Sequence, residues 1–318
     1  MCNQIESESE INTIPEDLPS IVRRLGNPVS TLLPYSACSI FRVPDVDGII
    51  AYQMIRNRAV VMGDPICLPE DIEPLTLAFN QYCKKLKLRV IYFLVSDSFA
   101  HWAINNGCHT LIQGAEELVI DPTNLKKKAK LRWKINQAIQ HGVVIKEYDQ
   151  FDPMLENQMK STIETWLKEK HGPQIHLGDL DLFVAGVDKR IFYAVQNNKI
   201  IGLLKLLPVD RFKGWSLNFF LGISGAPVGT TEHLMCSAFD TLAYEKCRFV
   251  SLGAISGSKI GEIVGLSSFS QYCAHLGFKA AKWIFKLDAK KIYFSKYQPK
   301  LSPTYLIFGE KLNLMDLI

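Results

Sequence analysis

The sequence predicts an α/β protein made of two halves, each contributing strands to a mixed sheet. Three observations predict it. Short apolar runs of strand length alternate with longer amphipathic segments of helical period. The order hairpin, strand, helix, strand, helix, final strand occurs once up to residue 148 and again from residue 149. A chain of 318 residues that is 47% hydrophobic can fill two cores.

The first half begins after residues 1–15, an acidic, polar stretch that reads as a flexible tail. "CSIFRV", "GIIAYQMI" and "RAVVMGDPICL" are strands, turned by "DVDG" and "RN". Gly63-Asp64-Pro65 is a further turn, with Asp64 expected to bond locally. "PEDIEPLTLAFNQYCKKL" is a helix, acidic at its start and basic at its end, as the helix dipole favours. "RVIYFLVS" is a buried strand, "DSFAHWAINNG" a helix stopped by Gly107, and "HTLIQGAEELVID" a strand. The domains expected are residues 16–148, including a basic linking helix, and residues 149–318.

In the second half "FDPMLENQMKSTIETWLKEKHG" is helical, and "RIFYAVQNNKIIGLLKLLPV" is a hairpin turning at Asn197-Asn198. "GWSLNFFLG" is a strand, "GTTEHLMCSAFDTLAYEKC" a helix and "RFVSLGAI" a strand. "SFSQYCAHLG" is a helix expected to stop at Gly277, and "FKAAKWIF" and "YLIFG" close the half as strands. This order fits tandem folds of the GCN5-related N-acetyltransferase type.

Composition narrows the functional classes. The net charge of +4 is mild, so any claim on nucleic acid rests on where the charges lie. No window reaches the roughly 18 apolar residues of a membrane span. The polar N-terminus is unlike a signal peptide, which predicts a cytoplasmic protein. The eight cysteines include no CxxC and the seven histidines no HExxH, so neither a disulfide framework nor a metal site is expected. Most of the cysteines read as small buried apolar groups.

Five segments are candidates for chemistry. In residues 121–142 six cations, Lys126, Lys127, Lys128, Lys130, Arg132 and Lys134, crowd the start of a helix capped by Asp121 or Thr123. That is the unfavourable end of the dipole, so an anionic guest such as a phosphate backbone would relieve it. The alternative is a solvated face. In "SGAPVGTTEHLM" Gly229 and Thr230 open a helix whose free N–H groups suit a phosphate or carbonyl oxygen, although Pro227 supplies none. His233 follows as a general base or a structural histidine. Gly253 and Ser256 begin a glycine- and serine-rich loop that either hugs a ligand or links elements. Lys296, set between Phe294 and Tyr297, would stabilise charge on a carbonyl oxygen or lay its stem over those rings.

Taken in order, "GDP", "KAKLRWKINQAIQHG", "PVGTTEHLM", "VSLG" and "YFSKYQPKLSPTYLIFG" resemble the C-terminal domain of phosphatidylglycerol lysyltransferases, over residues 30–310. The resemblance implies tandem acetyltransferase-like folds that take aminoacyl-tRNA as co-substrate, with no cofactor or metal, and pass the aminoacyl group to a lipid hydroxyl. It implies tRNA and membrane lipid, and no DNA, as partners, with a place at the inner face of the membrane. It sets Lys296 at the reacting ester, Tyr297 and Tyr305 against substrate, and the basic helix on the tRNA acceptor arm. Two features depart from the family pattern. The flippase-like membrane segment is absent. Asn218 stands in "SLNFFLG" where those enzymes carry an acidic residue followed by Leu-Met-Arg. The readings left beside this one are an acyl-coenzyme A-dependent N-acyltransferase and a non-catalytic tRNA- or lipid-binding module.

Overall fold

The computed structural model describes residues 18–35, 37–169, 181–184, 186–285 and 288–312. The tail expected at residues 1–15 lies outside them. In chain order the elements are α1 (Leu18–Leu25), β1 (Ser39–Phe41), β2 (Gly48–Ile55), β3 (Arg58–Met62), β4 (Ile66–Cys67), α2 (Ile72–Lys85), β5 (Arg89–Ser96), α3 (Asp97–Asn105) and β6 (Thr110–Ile120). Then come α4 (Ala129–Gln140), β7 (Val144–Glu147), α5 (Pro153–Glu169), β8 (Arg190–Gln196), β9 (Lys199–Val209), β10 (Gly214–Gly222), α6 (Thr230–Tyr244) and β11 (Val250–Ser256). The chain ends with β12 (Ile263–Val264), α7 (Ser268–Phe285), α8 (Asp288–Phe294) and β13 (Lys300–Phe308).

The mixed α/β class expected from the sequence holds. The strands form one continuous sheet in the order β1-β2-β3-β5-β13-β6-β11-β10-β9-β8-β7, with β12 on β6 and β4 on β2. Most neighbours are antiparallel, and β3–β5 and β10–β11 are parallel. One apolar cluster packs α2 and α3 on the first-half strands through Phe79, Phe99 and Tyr92. A second packs α6 on β10 and β11 through Leu234, Met235, Phe239 and Leu252. Cys67, Cys83, Cys108 and Cys236 are buried in these clusters, as small apolar side chains should be.

Several local expectations are met because they rest on short-range physics. Asn197 and Asn198 have φ of 50° and 61°, the left-handed pair a two-residue hairpin turn needs. Gly107 ends α3 at φ 101°. Other expectations are corrected. The Asp64 carboxylate does not bond locally; it accepts from the backbone N–H of Ser96 at 2.8 Å, tying the turn to the end of β5. "FKAAKWIF" is not a strand. Gly277 stays helical, at a cost of about 1 kcal/mol against alanine, and α7 runs through it to Phe285. Asp121 caps a separate turn at Pro122–Asn124, so α4 starts only at Ala129. The cause is local competition: the Asp121 carboxylate is taken by the N–H and hydroxyl of Thr123 and the amide of Asn124.

The last strand does not finish the second half of the sheet. β13 lies between β5 and β6, antiparallel to both, over Thr304↔Ser96 to Phe308↔Ile91 on one side and Lys300↔Val119 to Phe308↔Thr110 on the other. Its alternating apolar side chains Tyr305 and Ile307 enter the first-half core. A chain ending at Gln298 would leave β5 and β6 as unpaired edges in the middle of the sheet. Such a truncation is expected to lose the cooperative melting transition of the whole molecule, read by circular dichroism, and not only that of its C-terminal elements.

Candidate active site around Glu232

β10 and β11 run parallel for two residue pairs, Trp215↔Val250 and Ser216↔Ser251, and then part. Beyond this point β10 stays with β9 and β11 stays with β6. Both strands bulge at the fork. Asn218 is the extra residue of β10. On β11 the register slips between Ser251 and Ala254, where Gly253 takes φ 86°. The Ser251 hydroxyl donates to Glu117 of β6 at 2.7 Å and accepts from the Gly253 N–H at 3.1 Å, which fixes the root of the fork. Burial pushes the Glu117 carboxyl up, and the Ser251 bond offsets part of that.

α6 starts on one side of this fork. Its cap is Gly229, at φ 90°. A Cβ at Gly229 would stand 1.9 Å from the Lys134 carbonyl oxygen, so this glycine lets α4 touch the start of α6. The contact brings the Lys134 side chain to Glu232, the third residue of α6, where a carboxylate is favoured by the helix dipole. Lys134 Nζ donates to Glu232 Oε1 at 2.7 Å, and Lys296 Nζ donates to the same oxygen at 2.7 Å. Thr231 donates to the other oxygen at 3.1 Å. Glu232 is 3% exposed. Burial alone would raise its carboxyl, but the two ammonium groups outweigh it and hold it at about 2.

Aromatic rings wall the opposite side of Lys296. Its ammonium lies 3.6 Å from the centroid of Tyr293 and 5.9 Å from that of Tyr297. Tyr293 stacks on Phe220 of β10 with centroids 5.1 Å apart. Burial lowers the Lys296 pKa, and Glu232 raises it in part. Two ammoniums against one carboxylate leave a net positive charge in a half-buried place. The Tyr293 and Tyr297 hydroxyls and Asn218 Oδ1 are buried and make no hydrogen bond with the described residues. Such unmet groups are rare and mark places where water or ligand completes the bonding.

The structure thus joins two segments that the sequence offered separately, the basic helix and the amine near the C-terminus. It brings Lys296, Tyr297 and Lys134 together, with Gly229 supporting them and Asn218 two residues before Phe220. It sets others apart. Tyr305 belongs to the first-half core and donates to Asp97 at 2.7 Å. His233 faces Ser237, 3.3 Å from its hydroxyl, and burial and the nearby Lys127 lower its pKa. Thr230 closes its own turn onto the Pro227 carbonyl, and the Ser256 hydroxyl bonds to the Gly257 carbonyl. Lys127 is paired with Asp240 at 2.6 Å. Lys126, Lys128, Lys130 and Arg132 are exposed on one stretch. Sequence reasoning missed Glu232 and Tyr293. The only sign of Glu232 was an acid in the first turn of a helix, which the dipole explains without any site.

The fold is the one seen in solved lysylphosphatidylglycerol synthetase domains. The Bacillus licheniformis L-PGS structure matches with a TM-score of 0.78 and 18% identity, covering 93% of this chain and 92% of that one. The C-terminal domain of a putative lysylphosphatidylglycerol synthetase from Agrobacterium fabrum matches with a TM-score of 0.76 and 17% identity, covering 93% and 91%. Residues 20–308 match the family described as phosphatidylglycerol lysyltransferase, C-terminal, and the chain belongs to that family. The phosphatidylglycerol lysyltransferase of Staphylococcus xylosus is 22% identical over 300 residues, 91% of this chain and 35% of that protein. The chain therefore spans about a third of the length of the curated relatives it matches.

Glu232→Gln would leave two ammoniums sharing a neutral amide. It is expected to destabilise the fold by about 2 kcal/mol, read by urea unfolding at neutral pH. The carboxyl is lowered from 4.5 to about 2 on folding, so its contribution is complete above 4.5 and is lost as the pH falls towards 2. Wild type and Glu232→Gln should therefore converge in stability over that acidic range.

Proposed function

We propose that the protein transfers an aminoacyl group from aminoacyl-tRNA to a hydroxyl acceptor, with a membrane lipid as the favoured acceptor. The observation that carries this reading is the Lys134–Glu232–Lys296 cluster, which couples a cationic helix to a ring-flanked ammonium at the sheet's fork. The reaction is an ester exchange. The acceptor oxygen adds to the aminoacyl carbonyl carbon, the bond to the ribose oxygen breaks, and the acceptor's proton ends on that ribose oxygen. The tetrahedral intermediate carries an oxyanion, and the Lys296 ammonium is the donor placed to meet it. Glu232 orients that ammonium, and Lys134 keeps the cluster net positive. Asn218 Oδ1, without a partner among the described residues, is an acceptor for an amine N–H of the aminoacyl group. As a neutral group it gives no special preference to a lysyl side chain over smaller amino acids.

The exposed Lys126, Lys128, Lys130 and Arg132 supply the charge for the tRNA backbone. Use of acyl-coenzyme A is disfavoured by the loop before α6. Pro227 has no N–H, and the N–H groups of Ser224, Ala226 and Thr230 are already bonded to Glu169, Ile223 and Pro227. Those positions offer nothing to a pyrophosphate.

The direct test supplies a mixed pool of radiolabelled aminoacyl-tRNAs together with phosphatidylglycerol vesicles. Label leaving tRNA and appearing in the lipid fraction supports the reading, and label that stays on tRNA overturns it. Lys296→Ala is expected to lower single-turnover transfer by about a hundredfold, while a near-wild-type rate would remove the oxyanion role. Changing Lys126, Lys128 and Lys130 together to glutamine should weaken tRNA binding and flatten its salt dependence by about two counterions on a log–log plot. Unchanged filter binding would take the RNA role from this segment.

A further inference from the structure

α7 turns its apolar side chains the wrong way for a helix that serves only to pack. Ala274 and Phe278 rest on the Ile112, Ile260, Leu266 and Leu312 cluster. At 100° per residue, Phe269, Tyr272 and Leu276 fall on the opposite side. They are 65%, 61% and 51% exposed. Ile292 of α8 and Leu301 of β13 add exposed apolar surface in the same part of the chain.

Charge says what such a face fits. Residues 268–300 hold seven lysines and one acidic residue, Asp288. That excess is larger than the net charge of +4 of the whole chain, so the remainder is net negative. Lys279 is exposed on α7 itself, while burial lowers the Lys290 pKa, Lys282 donates to the Ser258 carbonyl, and Lys291 pairs with Glu116 and Lys296 with Glu232. A symmetric contact with a second copy would bring this lysine-rich segment against itself. An aromatic and aliphatic helix face in a segment with seven lysines and a single acid instead matches the surface of an anionic bilayer. Leu276 and Phe269 gain little from a nucleic acid, but both gain from the acyl boundary.

We propose that the α7 face, with Lys279 beside it in a lysine-rich segment, docks the protein on anionic membrane. The inference deepens the lipid-acceptor reading and rests on it for its purpose: α7 leads through α8 directly into Tyr293 and Lys296, so docking sets the Glu232 cluster beside the bilayer. The helix lies on the surface, since no helix among the described residues is long and apolar enough to cross a membrane.

The test uses the full chain and two kinds of vesicle, phosphatidylcholine alone and equal parts phosphatidylcholine and phosphatidylglycerol. Wild type should co-sediment about tenfold better with the anionic vesicles. Phe269→Ser, Tyr272→Ser and Leu276→Ser together should cut that binding about tenfold with an unchanged circular dichroism melt. Unchanged binding by the triple variant overturns the proposal. So does a wild-type dimer that the triple variant converts to monomer, or binding that appears only after removal of the acidic residues 1–17. Transfer separates the two readings. The triple variant should lose transfer to vesicle-borne phosphatidylglycerol and keep it towards dispersed short-chain phosphatidylglycerol. Wild type that binds anionic vesicles yet transfers to neither acceptor retains the docking face and loses the lipid-acceptor reading.

Discussion

A carboxylate enclosed by apolar side chains keeps its charge only where cations reach it, and Glu232 is reached by two. Lys134 comes from the first half of the chain and Lys296 from the second, 98 positions before Glu232 and 64 after it, and they meet on one oxygen atom. Each ammonium alone would pay for its own partial burial. Together with the shared carboxylate they form a unit whose surplus charge is positive and whose position is fixed by three separate elements. The side-chain-free cap at Gly229 makes this geometry available, because it allows the backbone of α4 to rest against the first turn of α6. The aromatic wall of Tyr293, Tyr297 and Phe220 then limits water around Lys296 and gives its charge a longer reach.

The fork in the sheet sets the strand ends beside this cluster. Two parallel strands that stay paired would fill the centre of the molecule with backbone hydrogen bonds. Here β10 and β11 hold each other for only two residues and each then follows its antiparallel neighbour. Bulges at Asn218 and Gly253 mark the point of divergence, consistent with the tendency of bulges to gather beside functional sites. The same division leaves buried polar atoms on Asn218, Tyr293 and Tyr297 without partners among the described residues.

What the sequence revealed followed the range of the interaction concerned. The Asn197-Asn198 turn and the apolar runs of β8 and β9 on either side of it depend on neighbouring residues, so they were legible. The length of α7 was not, because Gly277 reads as a stop unless the surrounding turns are known to hold it. The position of β13 was also hidden. Its apolar run from Tyr305 to Phe308 shows a strand covered on both faces but does not say which strands flank it. The amine at Lys296 stood out through its rings, and the basic helix through its charge. Glu232 lay unnoticed between Thr231 and His233, since a buried acid is recognisable only by partners far away in sequence. His233 and Tyr305 attracted attention for their chemistry, yet one turns towards Ser237 and the other towards Asp97.

The seat of β13 between β5 and β6 also bears on how the molecule is made. A ribosome delivers the first half of the chain long before residue 308 leaves the exit tunnel, and during that interval β5 and β6 lack the strand that joins them. Folding of the first half is thus tied to completion of synthesis rather than to its own emergence. Nascent chains of this protein would keep the edges of β5 and β6 open until the closing strand arrives to seal the gap.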